Sequence, residues 1–207
     1  MNAVKPQRGT FNAGMLKGCA AMVLGLAAMS ANANIYTATL SGAVEAPPNE
    51  SPGTGTVTVD FDIATHTMTI DVTFSGLLGN TTAAHIHCCT AVPGTGTAGV
   101  ATELPTFTGF PIGVTFGTYS HVFDTSLAAT WNPNFVNTFG GGTIAGAETA
   151  FMAGLESGSA YLNLHTSFAG GGEIRGFLQP VPEPATFALL ALGAPVVLLA
   201  ARRRRGK

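Results

Sequence analysis

Three histidines carry the spacing most suggestive of chemistry. His85 and His87 stand two apart in AAHIHCC (residues 83–89), and His165 lies in the alternating run YLNLHT of residues 161–166. On a strand, residues two apart share a face and lie ~7 Å from each other, so His85 and His87 project together, as do Tyr161, Asn163 and His165. If the two strands are neighbours, three imidazoles converge. Three nitrogen ligands with an open position suit zinc or copper. The same residues also fit a purely structural role, which is the preferred reading at this level. In it the imidazoles donate to backbone carbonyls and to a buried Glu173. Arg175 forks onto Glu173 or Asp71, with Asn163 in the same network. Removing one side of such a buried pair costs roughly 3–5 kcal/mol, enough to specify those residue types without any catalysis.

Other catalytic patterns are absent from the sequence. The serines lack a G-x-S-x-G elbow, and there is neither an H-E-x-x-H pair nor a phosphate-cradling glycine loop. The acids are scattered along Thr/Asp faces, and Asp60, Asp62 and Asp71 lack the ligand-dense loop of a calcium site. No catalytic residue and no organic cofactor is expected, so the chain reads as a non-enzyme. Cys88 and Cys89 are adjacent and are expected to be two small, half-buried thiols. His66 falls in a predicted turn and is expected to be solvated.

Strands must position these residues. Val57, Val59, Phe61 and Ile63 alternate with Thr56, Thr58, Asp60 and Asp62. After a turn at residues 64–67, Met68, Ile70, Val72 and Phe74 alternate with Thr69, Asp71 and Thr73. That is an antiparallel hairpin with one apolar and one wetted face. Residues 161–178 read as a second hairpin broken at the Gly-rich stretch Ala169 to Gly172, its polar face carrying His165, Glu173 and Arg175 together. Further strands are predicted over residues 36–41, 83–89 and 114–123. Trp131, Phe135 and Phe139 share one helical face, and residues 144–156 form an amphipathic helix capped by Thr143.

Charge separates the middle from the ends. Of nine Lys and Arg residues only Arg175 lies between residues 34 and 182, against ten acids there, a net of −9. A domain with a single cation does not track phosphates, which excludes nucleic acid as a partner. Residues 1–33 have the layout of a cleaved signal peptide: basic Lys5, Arg8 and Lys17, an apolar stretch, then Ala31-Asn32-Ala33. This implies the Sec export machinery as a partner. Residues 34–180 form the predicted β domain. Residues 181–207 begin with Val181-Pro182-Glu183-Pro184, continue through an apolar run over 185–201, and reach Arg202 to Arg205. Seventeen helical residues span about 26 Å, so this run predicts a transmembrane helix with its arginines in the cytoplasm.

Two resemblances follow from these residues. The end of the chain resembles the PEP-CTERM sorting signal of Gram-negative bacteria. That resemblance implies an exosortase-type processing enzyme that removes the tail and passes the domain to the extracellular side or cell surface. Ala84-His85-Ile86-His87, Gly141-Gly142-Thr143, the run from Ala160 to Thr166, and Gly172-Glu173-Ile174-Arg175-Gly176 resemble the CHRD domain in its block order. Cys88-Cys89 stands where many members have a Gly-Pro step. The CHRD resemblance implies a mainly β fold, an antiparallel immunoglobulin-like β-sandwich or barrel with one or two short helices, and no general activity. The combined reading is a secreted, surface-sorted, non-enzymatic binding or matrix module of the envelope or exopolysaccharide. The alternative is a copper- or zinc-binding, redox-capable domain using His85, His87 and His165.

Overall fold

The structure is a computed structural model and describes residues 35–182. In chain order the elements are β1 (Ile35–Ser41), β2 (Thr54–Asp62), β3 (Thr67–Ser75), β4 (Thr81–His87), β5 (Gly117–Asp124), α1 (Pro133–Thr138), α2 (Ile144–Glu156), β6 (Tyr161–Thr166), β7 (Ile174–Phe177) and β8 (Gln179–Pro180). The mainly β, antiparallel architecture is the expected one. Its strands make one curled sheet, a half-barrel, in the order β4-β6-β7-β1-β2-β3-β5, with β8 paired to the start of β1.

The alternation in β2 and β3 sets their register. Val59 pairs with Ile70 and Thr58 with Asp71, so Val57, Val59, Phe61, Met68, Ile70, Val72 and Phe74 all enter the core. A one-residue slip would turn that whole set into water. The predicted helix over 144–156 is present, with the Thr143 hydroxyl accepting from the Gly146 N–H. Its buried stripe of Ala147, Phe151 and Leu155 joins the same core as the buried face of the sheet. Phe151 meets Phe61 edge-on at 5.4 Å and Trp131 at 5.2 Å.

Three local expectations are corrected. The aromatic stripe of residues 131–139 is helical only over Pro133–Thr138, because Asn132 caps the Asn134 N–H and Pro133 opens the first turn. The strand predicted from residue 114 begins at Gly117. His66 is not merely solvated. It closes the β2–β3 turn at a φ of 56° and bonds through Nδ1 to the buried carboxylate of Glu148 at 2.8 Å, tying that turn to α2.

Candidate metal centre

Strand order brings the three histidines together. β4 pairs directly with β6, setting His85 opposite Asn163, His87 opposite Tyr161 and Ala83 opposite His165. Ile86, Leu162 and Leu164 fill the core from the other face, which turns the histidines to this one. Ring centroids lie 5.9 Å apart for His85 and His87, 5.2 Å for His85 and His165, and 5.7 Å for His87 and His165. One nitrogen from each ring lies within 4.8 Å of the other two. Ligand nitrogens on tetrahedral zinc stand about 3.3 Å apart, so a bound ion would draw these three closer together.

Each ring is oriented by a backbone carbonyl on its far side. His85 Nε2 bonds to Pro105 O at 2.6 Å, His87 Nδ1 to Ala98 O at 2.9 Å and His165 Nδ1 to Gly170 O at 3.0 Å. A carbonyl only accepts, so the nitrogen facing it carries the proton and the opposite nitrogen keeps a lone pair. Those opposite atoms, His85 Nδ1, His87 Nε2 and His165 Nε2, are buried without a hydrogen-bond partner among the described residues. Burial lowers the pKa of all three rings, against the opposing pull of the carbonyls. His87 is pushed down to about 4. Neutral imidazoles with aimed lone pairs are the form in which histidine binds a metal.

The expected Glu173–Arg175 partnership is corrected. Glu173 bonds to none of the histidines and is held instead by Ser51, Thr166 and the N–H groups of Leu78 and Gly79. Arg175 is interior, as expected, yet its carboxylate neighbour is Glu45, 3.7 Å away, and not Glu173 or Asp71. Its Nε donates to Val44 O and its Nη1 to Gly96 O, and the guanidinium lies 4.9 Å from the centre of the Tyr161 ring. Tyr161 stacks on His87 at 4.9 Å and 6°. Because β6 lies between β4 and β7, this ring is flanked by the histidine from one strand and by the domain's single cation from the other. Asn163 stays in this neighbourhood, between His85 on β4 and Arg175 on β7.

Nothing in the sequence marks Glu45 or the three carbonyl anchors, whose positions depend on loops that no local pattern places. The strand period puts Tyr161 on the face of His165, but it does not foresee the stacking of that ring between His87 and Arg175. Sequence reasoning also misjudged the cysteines. Cys88 and Cys89 form a vicinal disulfide instead of two thiols, packed where a Cβ on Gly154 of α2 would overlap both sulfurs.

The CHRD domain matches residues 36–178, well over half of the chain. The chain is a CHRD-domain protein. The histidine triad and the Glu173 network both lie inside the CHRD match. Residues 180–205 match the PEP-CTERM protein-sorting motif. That signal means Sec export, membrane anchoring before processing by an exosortase, and then a place at the cell surface. No curated protein and no solved structure matches the chain.

Within the sorting motif, Val181 and Pro182 are exposed, and the Val181 N–H bonds to Ile35 O at 2.8 Å, so the CHRD domain ends beside its first strand. Glu183 and Pro184, the predicted span over 185–201 and the predicted signal peptide over 1–33 lie outside the described residues. Among the described residues no helix is long and apolar enough to cross a membrane.

Proposed function

We propose that this exported, surface-sorted CHRD-domain protein is a metal-binding module that holds one copper or zinc ion between His85, His87 and His165. A single observation carries the reading: three buried imidazole lone pairs converge, each fixed by a carbonyl at the other ring nitrogen. Three protein nitrogens leave a fourth position open, as in sites where a metal also holds water or a small ligand. In this proposal residues 1–33 are a signal peptide, residues 34–180 carry the site, and residues 181–207 are the sorting tail. The test is metal analysis of the full chain, solubilised in detergent and purified without an affinity tag. One equivalent of metal in the wild type, lost in a His85→Ala/His87→Ala variant, supports the module. Protein that takes up neither zinc nor copper rejects it.

A second reading, a non-enzymatic matrix module, is favoured by a separate surface. The outer face of β1, β2, β3 and β5 sets Thr39, Thr56, Thr73 and Thr118 in one cross-strand row and Thr37, Thr58, Asp71 and Ser120 in the next. Nearly all are exposed, giving a hydroxyl-rich sheet of the kind that hydrogen-bonds sugar chains. Co-sedimentation with the producing cell's exopolysaccharide, abolished by Thr56→Lys/Thr73→Lys, checks it. Equal sedimentation of the variant dismisses the surface.

A further inference from the structure

Five buried side-chain atoms have no hydrogen-bond partner among the described residues: Glu45 Oε1, His85 Nδ1, His87 Nε2, Asn163 Oδ1 and His165 Nε2. Three are the nitrogens assigned above to a metal. Asn163 Oδ1 belongs to the same strand face, and the metal reading alone leaves it unexplained. Buried carbonyl oxygens are rarely left dry, because their desolvation is uncompensated.

The placement of this oxygen is specific. Asn163 is 3% exposed and stands on β6 between Tyr161 and His165, directly across from His85. Its Nδ2 donates to Gly171 O at 3.3 Å, which identifies the two ends of the amide, since the opposite assignment would set two acceptors against each other. The backbone makes room for the group. Gly172 adopts a φ of +131°, and a Cβ there would overlap the carboxamide. Arg175, its neighbour on β7, directs Nε and Nη1 to the carbonyls of Val44 and Gly96.

We infer that Asn163 Oδ1 accepts a hydrogen bond from a protic ligand, water or hydroxide, in the fourth position of the metal, and so selects ligands that carry a donor hydrogen over bare anions. This rests on the metal-centre reading. With the three imidazole lone pairs given to the ion, Asn163 Oδ1 is the remaining unpaired acceptor on the histidines' own strand face, Glu45 Oε1 lying instead on the carboxylate beside Arg175. Metal-bound water is a strong donor because the cation polarises its O–H bonds. A neutral amide oxygen accepts that bond without removing the proton. Direct ligation by the amide oxygen is the less fitting role, since carbonyl oxygen suits magnesium, calcium or manganese better than copper or zinc.

Azide titration of the copper(II)-loaded full chain, followed by its charge-transfer absorption, tests the assignment. Azide at neutral pH has no donor hydrogen and displaces the water, forfeiting the contact with Asn163. Removing the acceptor in Asn163→Ala therefore tightens azide binding about fivefold to tenfold at unchanged copper stoichiometry. Asn163→Leu, which keeps the shape of the side chain, does the same, and Asn163→Asp, which retains an acceptor and adds negative charge, weakens azide. Azide affinity within about twofold of wild type in both the Ala and Leu variants overturns the inference. So does loss of copper from both variants with unchanged circular dichroism, which would make Asn163 itself a ligand. A wild-type chain that takes up no copper and no zinc instead rejects the metal centre, a separate outcome read before any azide is added.

Discussion

Glu173 and the histidine triad are two buried polar clusters served by the same strand, β6, and they are finished in opposite ways. Glu173 is fully buried, and its carboxylate accepts from the Ser51 and Thr166 hydroxyls, each at 2.6 Å, and from the N–H groups of Leu78 at 2.6 Å and Gly79 at 3.1 Å. Burial alone would raise its pKa, yet those donors together outweigh it and hold the carboxyl below its ordinary value. The triad has the reverse character: each ring is anchored once and left with one buried atom unpaired. Burial is common to both clusters, so burial does not separate structure from function. Saturation does, because a saturated cluster has nothing left to bind with.

The most severe test of this contrast is Glu173→Ala. It strands two hydroxyls and two backbone N–H groups drawn from three separate segments. Expected is a loss of about 3–4 kcal/mol in urea unfolding. A loss below ~1 kcal/mol would mean that the network is not the structural element of the pair.

Glu45 lies between the two extremes, with one oxygen unpartnered and a guanidinium 3.7 Å away. Burial raises its carboxyl to about 7, and the attraction of Arg175 and the Ala46 N–H recover only part of that shift. A folded pKa above the unfolded one means that its contribution is fully present below about pH 4.5 and is lost as pH rises to about 7. The unfolded chain releases the proton first, so stability falls across that window by roughly 3 kcal/mol. Glu45→Gln lacks this titration. Its unfolding midpoint should therefore gain on wild type between pH 5 and pH 8, and a constant difference would contradict the shift.

The triad gives the next effect. Zinc at ~100 times its Kd should stabilise the wild type by about 2.7 kcal/mol and His85→Ala/His87→Ala not at all. In metal-free protein the double variant should cost far less than Glu173→Ala, because it removes unsaturated groups. The reverse order would erase the distinction between the clusters.

The smallest effect belongs to His66. Its half-exposed ring is hydrogen-bonded to the buried Glu148, and that bond, followed by the attraction of the carboxylate, raises the imidazole pKa. That contribution is present below the ordinary histidine value and disappears as pH rises through the raised one. His66→Ala should therefore lower Tm more at pH 6 than at pH 9. An equal decrease at both would show that the bond carries no charge.

What was legible in the sequence follows a physical divide. β2, β3 and α2 could be read because burial of one face repeats at a period of two or 3.6 residues within a single segment, and Thr143 caps its helix through a bond three residues away. The shared face of His85 and His87, and its opposition to Ile86, follow from the same period. The partner of Arg175 did not, since Glu45 lies 130 positions earlier in the chain and reaches it only when β7 lines up beside β1. Nor did the link from His66 to Glu148, which joins a turn to a helix 82 residues later.

The sequence by itself determined the mainly β class, the acidic single-cation body, the sorting end and the residue types of the triad, because these properties are local or additive along the chain. Only the tertiary structure decided which ring nitrogens are left free, that Asn163 keeps an unpaired oxygen on the same strand face, and that Glu173 does not. Those outcomes depend on where the carbonyls of Ala98, Pro105 and Gly170 come to rest, and a carbonyl has no residue identity by which a sequence could announce it.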